Sequence, residues 1–288
     1  MLQVARLAPT QLGESRDLVA AFLRGRINND GGFQDRAGAS DLYYTVFGLD
    51  GLIALQEDVP PLSLEYLQRQ SAATTDFVHA ACLARGWAAL RTDPGDTVSA
   101  AILDRIESCR SRDGGYANNP GHATGTAYSA FLAVGAYQDL GRPLIDPGAI
   151  ERSLESLKAA DGSYGNLPGM PTGLTTTTAA AVLVLKQLGA SAGRDTAMWL
   201  LDRCHSGGGF FASPAAPLPD LLSTATGLHA LSALHTPIGA LHEPCLDFVD
   251  SLWTNRGGFF GSWADDALDC EYTYYGLLAL GHLSIEHA

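Results

Sequence analysis

Hydrophobic positions along the chain fall into two alternating kinds of segment. In the first, apolar residues recur at helical spacing on one stripe: Val98, Ile102, Ile106 and Cys109; Ile150, Leu154 and Leu157; Leu246, Val249 and Leu252. That pattern predicts amphipathic helices with one face in water. In the second, Thr45 to Leu55, Thr126 to Tyr137, Thr178 to Leu188, Thr224 to Leu234 and Thr273 to Leu283 are apolar on nearly every side. Helices of that composition are buried on more than one face.

A recurrent turn joins the two kinds. It reads Asn29-Asp30-Gly31-Gly32-Phe33, Asp113-Gly114-Gly115-Tyr116, Asp161-Gly162-Ser163-Tyr164, Gly208-Gly209-Phe210 and Arg256-Gly257-Gly258-Phe259, with successive spacings of 83, 48, 46 and 49 residues between Gly31, Gly114, Gly162, Gly208 and Gly257. The first interval holds two periods, because Asp76 to Leu90 reads as another second-type helix without a glycine turn before it. Six helical hairpins with a period of about 47 residues follow. Glycine just past a helix end supplies the left-handed backbone that stops it, and the next aromatic can pack back over the hairpin. The chain is therefore expected to be one all-α domain spanning residues 1–288. Amphipathic first helices and greasier second helices favour closure into a ring around a cavity over an open solenoid.

Two hairpins carry more than a turn. Gly31-Gly32-Phe33-Gln34-Asp35-Arg36 is followed by Asp41-Leu42-Tyr43-Tyr44-Thr45, and Gly257-Gly258-Phe259-Phe260-Gly261 by Asp269-Cys270-Glu271-Tyr272-Thr273-Tyr274-Tyr275-Gly276. These segments, and the repeat over essentially the whole chain, resemble the α/α toroid of protein prenyltransferase β subunits and class II terpenoid cyclases. The resemblance implies an all-α toroid of about six hairpins and an isoprenoid or other long hydrophobic substrate in its cavity.

The chemistry it implies differs between the two relatives. A prenyltransferase of this type holds zinc with an Asp and a Cys of one repeat and a His of the last; here Asp220 stands at the Asp position, Leu222 at the Cys position and Tyr272 at the His position. Asp alone cannot hold zinc, so that site is expected to be missing from the last two repeats. On the transferase reading Arg36 and Tyr44 fall near diphosphate-binding positions. Asp41 and His79 are then the nearest candidates to hold a divalent metal, magnesium or zinc, at an atypical site, and no other cofactor is expected. A class II cyclase protonates an alkene with the middle Asp of Asp-x-Asp-Asp-Thr, and Asp269-Cys270-Glu271-Tyr272-Thr273 has that spacing with Glu271 at the acid position. On this reading Glu271 is the proton donor with Asp269 beside it. Tyr43, Tyr44, Tyr272, Tyr274 and Tyr275 then form an aromatic wall for a polyene or carbocation, and His79 is a further candidate for acid–base work.

Each of these residues also has a plainer use. Asp41, Asp76, Asp220 and Asp269 precede helices, where an Asp cap is worth about 1 kcal/mol. Buried tyrosines pack between helices, and a histidine in an apolar helix such as His79 is commonly a hydrogen-bonded core residue. The Thr175-Thr176-Thr177-Thr178 run suits a helix entry. A non-catalytic toroid that binds a lipid or a partner helix therefore stands as the alternative, with a β-type subunit awaiting a helical partner as a third reading.

Composition narrows the partners. The formal net charge of −13 repels nucleic acid and anionic membranes on average. Five cysteines, Cys82, Cys109, Cys204, Cys245 and Cys270, show no CxxC spacing, which predicts reduced thiols in a cytoplasmic protein. No stretch reaches the roughly 18 apolar residues of a membrane helix, and Met1 to Glu14 lacks the pattern of an export signal.

Overall fold

The computed structural model describes residues 1–73 and 76–285. Short helices α1 (Leu2–Ala5) and α2 (Pro9–Leu12) lead into α3 (Arg16–Arg24), a two-residue hairpin of β1 (Phe33–Gln34) with β2 (Ser40–Asp41), and α4 (Leu42–Ala54). There follow α5 (Leu62–Ala73), α6 (Phe77–Ala89), α7 (Asp96–Glu107), α8 (Ala127–Asp139), α9 (Pro147–Ser156), α10 (Thr175–Gln187) and α11 (Arg194–Leu201). A second small hairpin, β3 (Phe210–Phe211) with β4 (Pro219–Asp220), precedes α12 (Leu221–Ala233), α13 (His242–Ser251) and α14 (Cys270–Leu283). Among the described residues, first-type and second-type helices alternate along the chain as the repeat predicts, from α3 and α4 to α13 and α14.

The glycine turn has one conformation throughout. Antiparallel bridges join Ile27 to Phe33, Arg110 to Tyr116, Lys158 to Tyr164, Cys204 to Phe210 and Trp253 to Phe259, always six residues apart. Gly31, Gly114, Gly162, Gly208 and Gly257 all sit at φ of 87 to 90°, backbone that costs an L-residue with a side chain. At Gly257 a Cβ would also lie 2.2 Å from the Leu18 carbonyl oxygen, so the last repeat's turn seats directly on the first repeat's α3.

The two helix types differ in burial as their sequences predict. In α4 nearly every residue from Thr45 to Ala54 is buried, and in α14 every residue from Thr273 to Leu283. In α3 burial is confined to Val19, Ala20 and Leu23, and in α9 to Ala149, Ile150, Ser153 and Leu154. Four of the second helices, α4, α10, α12 and α14, begin about three residues before the expected threonine. In α4, α12 and α14 the aspartate caps from Asp41, Asp220 and Asp269, and the threonine one turn in bonds back to the cap residue's carbonyl. Thr45 and Thr224 accept in turn from the N–H of Phe33 and Phe210, which ties each turn to its own second helix. At α10 no aspartate is available, and Thr177 and Thr178 accept from the N–H of Leu174 and Tyr164.

Contacts divide the chain into two compact units. In the first, Met1–Glu65 with Leu200–Ala288, α14 packs on both α4 and α12. In the second, Tyr66–Trp199, α8 packs on both α6 and α10. No helix among the described residues is long and apolar enough to cross a membrane.

Candidate functional site

The entry of α14 in the first unit gathers most of the residues singled out from the sequence. Asp269 is 2% exposed. One carboxylate oxygen accepts the Tyr272 N–H at 2.8 Å as the helix cap. The other accepts from the Arg36 guanidinium Nε at 2.8 Å. Capping and site roles thus coincide in one side chain.

Arg36 reaches this position from the tip of the β1–β2 hairpin, where the Asp35 carboxylate accepts the N–H groups of Ala37 and Ala39 and fixes the turn. Its Nη2 donates to Asp265 at 2.9 Å, and its guanidinium lies 5.4 Å from the centre of the Tyr272 ring. Burial opposes the arginine's charge, but hydrogen bonds to Asp269 and Asp265 outweigh it and raise the guanidinium pKa. The arginine is engaged by two carboxylates, an arrangement that competes with a phosphate for the same donors.

Glu271 stands in the first turn of α14, half-buried, and its Oε1 accepts the Tyr43 hydroxyl hydrogen at 2.6 Å. Burial pushes its carboxyl pKa up to about 7; Asp269 adds to the rise, while the Tyr43 hydrogen bond and Arg36 restrain it. The phenol of Tyr44 is raised as well, first by burial and then by Asp269 and Glu271. Burial pushes Tyr272 up to about 12.

An aromatic cluster adjoins the acid. The Tyr43 ring meets Phe47 at 4.9 Å and Tyr44 at 5.7 Å, and Phe47 lies 5.4 Å from Tyr275 and 5.7 Å from Tyr274. Phe47 escaped the sequence reading, although it stands four residues after Tyr43, on the same face of one helix.

Asp41, His79 and Asp220 make local contacts of their own. Asp41 caps α4 by accepting the Tyr44 N–H at 3.1 Å. His79 belongs to the second unit, on α6, where its Nδ1 contacts the Asp76 carboxylate and its backbone N–H is capped by the same residue. Burial opposes the Asp76 charge, yet the hydrogen bonds from His79 hold its carboxyl below the usual range. Asp220 caps α12 through Ser223, and burial raises its carboxyl. With Leu222 and Tyr272 at the neighbouring zinc-ligand positions, this donor set does not fit zinc. Among the described residues no three His, Cys, Asp or Glu side chains converge as a metal requires.

The second unit holds a carboxylate cluster that sequence reasoning missed. Glu107 accepts from Arg110 through Nε at 2.8 Å and Nη2 at 3.1 Å, and from the phenols of Tyr116 at 2.6 Å and Tyr137 at 2.8 Å. Burial opposes its charge, but these donors outweigh it and hold the carboxyl below the usual range. The Glu107–Arg110 spacing was a signal available in the sequence; Tyr137, 30 residues away, was not.

The family model described as the prenyltransferase alpha-alpha toroid domain matches residues 10–83, 70–189 and 178–283. Among solved structures, the chain is similar to Candida albicans protein geranylgeranyltransferase-I complexed with GGPP, at 13% identity and a TM-score of 0.70, covering 93% of this chain and 90% of that one. It is also similar to a type II terpene cyclase, MstE from Scytonema, in complex with geranylgeranyl dihydroxybenzoate: 13% identity, TM-score 0.68, 96% of this chain and 97% of that one. A possible member of the GH105 family from Salmonella enterica follows at 12% identity and a TM-score of 0.59, covering 94% of this chain and 93% of that one. No curated protein matches the chain in sequence. At these identities the structural likeness establishes the fold, and one fold carrying such different descriptions does not fix an activity.

Proposed function

The chain belongs to the prenyltransferase alpha-alpha toroid family, and on that premise we propose that it is an isoprenoid-processing enzyme that cyclises a long hydrophobic polyene, with Glu271 as the proton donor. The observation that carries this reading is the state of Glu271: a half-buried carboxyl with a pKa pushed up to about 7, beside the aromatic cluster of Tyr43, Phe47 and Tyr275. A general acid must hold its proton at working pH, and desolvation is the ordinary means of arranging that.

In the proposed reaction the Glu271 proton adds to a terminal alkene, whose π pair forms the new C–H bond and leaves positive charge on the neighbouring carbon. The next alkene's π pair closes a ring, and a proton lost from the neighbouring carbon, returned through solvent to the Glu271 carboxylate, ends the sequence with an isomer of the substrate. Aromatic faces steady the migrating charge. Arg36 acts here by holding Asp269 and Asp265 rather than a diphosphate. The zinc chemistry of prenyltransferases plays no part, because the donor set does not fit the metal.

The test is incubation with neutral polyprenyl substrates, followed by mass and chromatographic analysis of products. A cyclised isomer made by the wild type and lost in Glu271→Gln supports the reading; an isomer formed equally by the variant sinks the acid assignment. The missing zinc donors also suit a toroid that binds a lipid without converting it. That second reading predicts ligand binding by both proteins and product from neither.

A further inference from the structure

We propose that Cys204 and Cys245 are a covalent modification site, forming a reversible disulfide that links the turn of the fifth repeat to the first helix of the sixth. The two sulfurs are 3.8 Å apart. Cys82, Cys109 and Cys270 are buried. Cys245 is also fully buried, whereas Cys204 is half-buried and so open to a small reagent.

The backbone beneath the pair is held firmly. Cys204 opens the glycine turn and bridges to Phe210. A Cβ on Gly208 would lie 1.7 Å from the Pro244 carbonyl oxygen, and one on Gly209 would lie 2.7 Å from the Phe248 ring. The turn therefore rests directly on the first turn of α13. A disulfide needs its sulfurs at about 2.05 Å, so bond formation requires a further approach of the two side chains from 3.8 Å.

The chemical setting suits Cys245 as the resolving thiolate, with the more exposed Cys204 as the point of entry. Cys245 lies in the first turn of α13, where a helix N-terminus favours thiolate. A hydrogen bond from Cys204 lowers its pKa, against the opposing effect of burial, with help from the Gly209 N–H and His242, while the same bond and burial push the Cys204 thiol up.

A small-molecule disulfide is the oxidant. The Cys204 sulfur gives up its proton and attacks one sulfur of the reagent, breaking that S–S bond and releasing a thiolate that takes the proton. Cys245 thiolate then attacks the Cys204 sulfur of the mixed disulfide, forming the internal bond and releasing a second thiolate, which takes the Cys245 proton. Two protein thiols are oxidised by two electrons, and one reagent disulfide is reduced to two thiols.

The experiment treats the folded full chain with 2-hydroxyethyl disulfide, blocks remaining thiols by alkylation and maps peptides without reduction. The expected result is a crosslink joining the peptides of Cys204 and Cys245, with Cys82, Cys109 and Cys270 alkylated after unfolding. The oxidised chain should unfold at a higher temperature than the reduced one and return on reduction, because the bond restricts the unfolded chain. Cys204→Ser and Cys245→Ser should each abolish the crosslink and the thermal shift. A persistent mixed disulfide on Cys204, or both thiols recovered unmodified from the wild type, would overturn the proposal without reliance on any variant.

Discussion

Glu271 in the first unit and Glu107 in the second are both shielded from water and both accept from tyrosine, yet their carboxyls are driven in opposite directions. Glu107 is met by two guanidinium nitrogens of Arg110 and by two phenols. Glu271 has the Tyr43 phenol, and the nearest arginine, Arg36, is directed at Asp269 and Asp265 instead. Burial opposes the charge in both places, more strongly at Glu271, and the supply of donors decides whether it prevails. A carboxyl satisfied on every side is a structural brace; one left short of donors can hold a proton at neutral pH and give it away.

The largest effect should come from removing each carboxylate in turn. If Glu271 is the acid, Glu271→Gln loses at least about 100-fold of product formation, measured as cyclised isomer per hour. Glu107→Gln should leave turnover close to wild type and lower the unfolding temperature. Equal loss in both variants would dissolve the distinction.

Next in size is Arg110→Met, which leaves Glu107 with phenols alone. Stripping the charged donor from this half-buried carboxylate should cost about 2 kcal/mol, read from denaturant unfolding. An unchanged midpoint would show that the phenols suffice.

Arg36→Ala should act on the other site without touching Glu271 directly. Removing the positive charge that restrains it should move the Glu271 titration further up, while the partly exposed arginine itself contributes only about 1 kcal/mol to stability. A downward movement would mean that Arg36 and Asp269 do not act on Glu271 as described.

The smallest effect is on stability against pH. Glu271 binds its proton more tightly folded than unfolded, so between about 4.5 and 7 the folded chain holds more protons and loses stability as pH rises. The slope should be modest because the group is only half-buried, and it should flatten in Glu271→Gln. Glu107, held below its ordinary value, contributes stability at neutral pH that is lost as pH falls into the acid range.

Much of the fold was legible because the turn repeats a backbone need. Glycine at positive φ followed by an aromatic recurs wherever a first helix stops, and the greasy second helices name themselves by composition. The threonines chosen as helix starts were one turn late, since the aspartates before them cap so well that α4, α12 and α14 begin at the next residue. The aspartates, tyrosines and Glu271 at the α14 entry could be found because they break an apolar pattern. Arg36 stood out only through the family resemblance, as a diphosphate-binding candidate, and its engagement by Asp265 and Asp269 depends on carboxylates 229 and 233 residues away. The Glu107 network and the Cys204–Cys245 contact share that difficulty: local sequence carries no trace of a partner brought in by packing.

The most direct measurement is a pH titration of the side-chain carboxyls by carbon NMR, with Glu271→Gln and Glu107→Gln used to assign the two signals. The account predicts a Glu271 midpoint near 7 and a Glu107 midpoint below the ordinary glutamate value. A Glu271 carboxyl already ionised by about pH 5, as in a free glutamate, would contradict it and leave the toroid without its proposed acid.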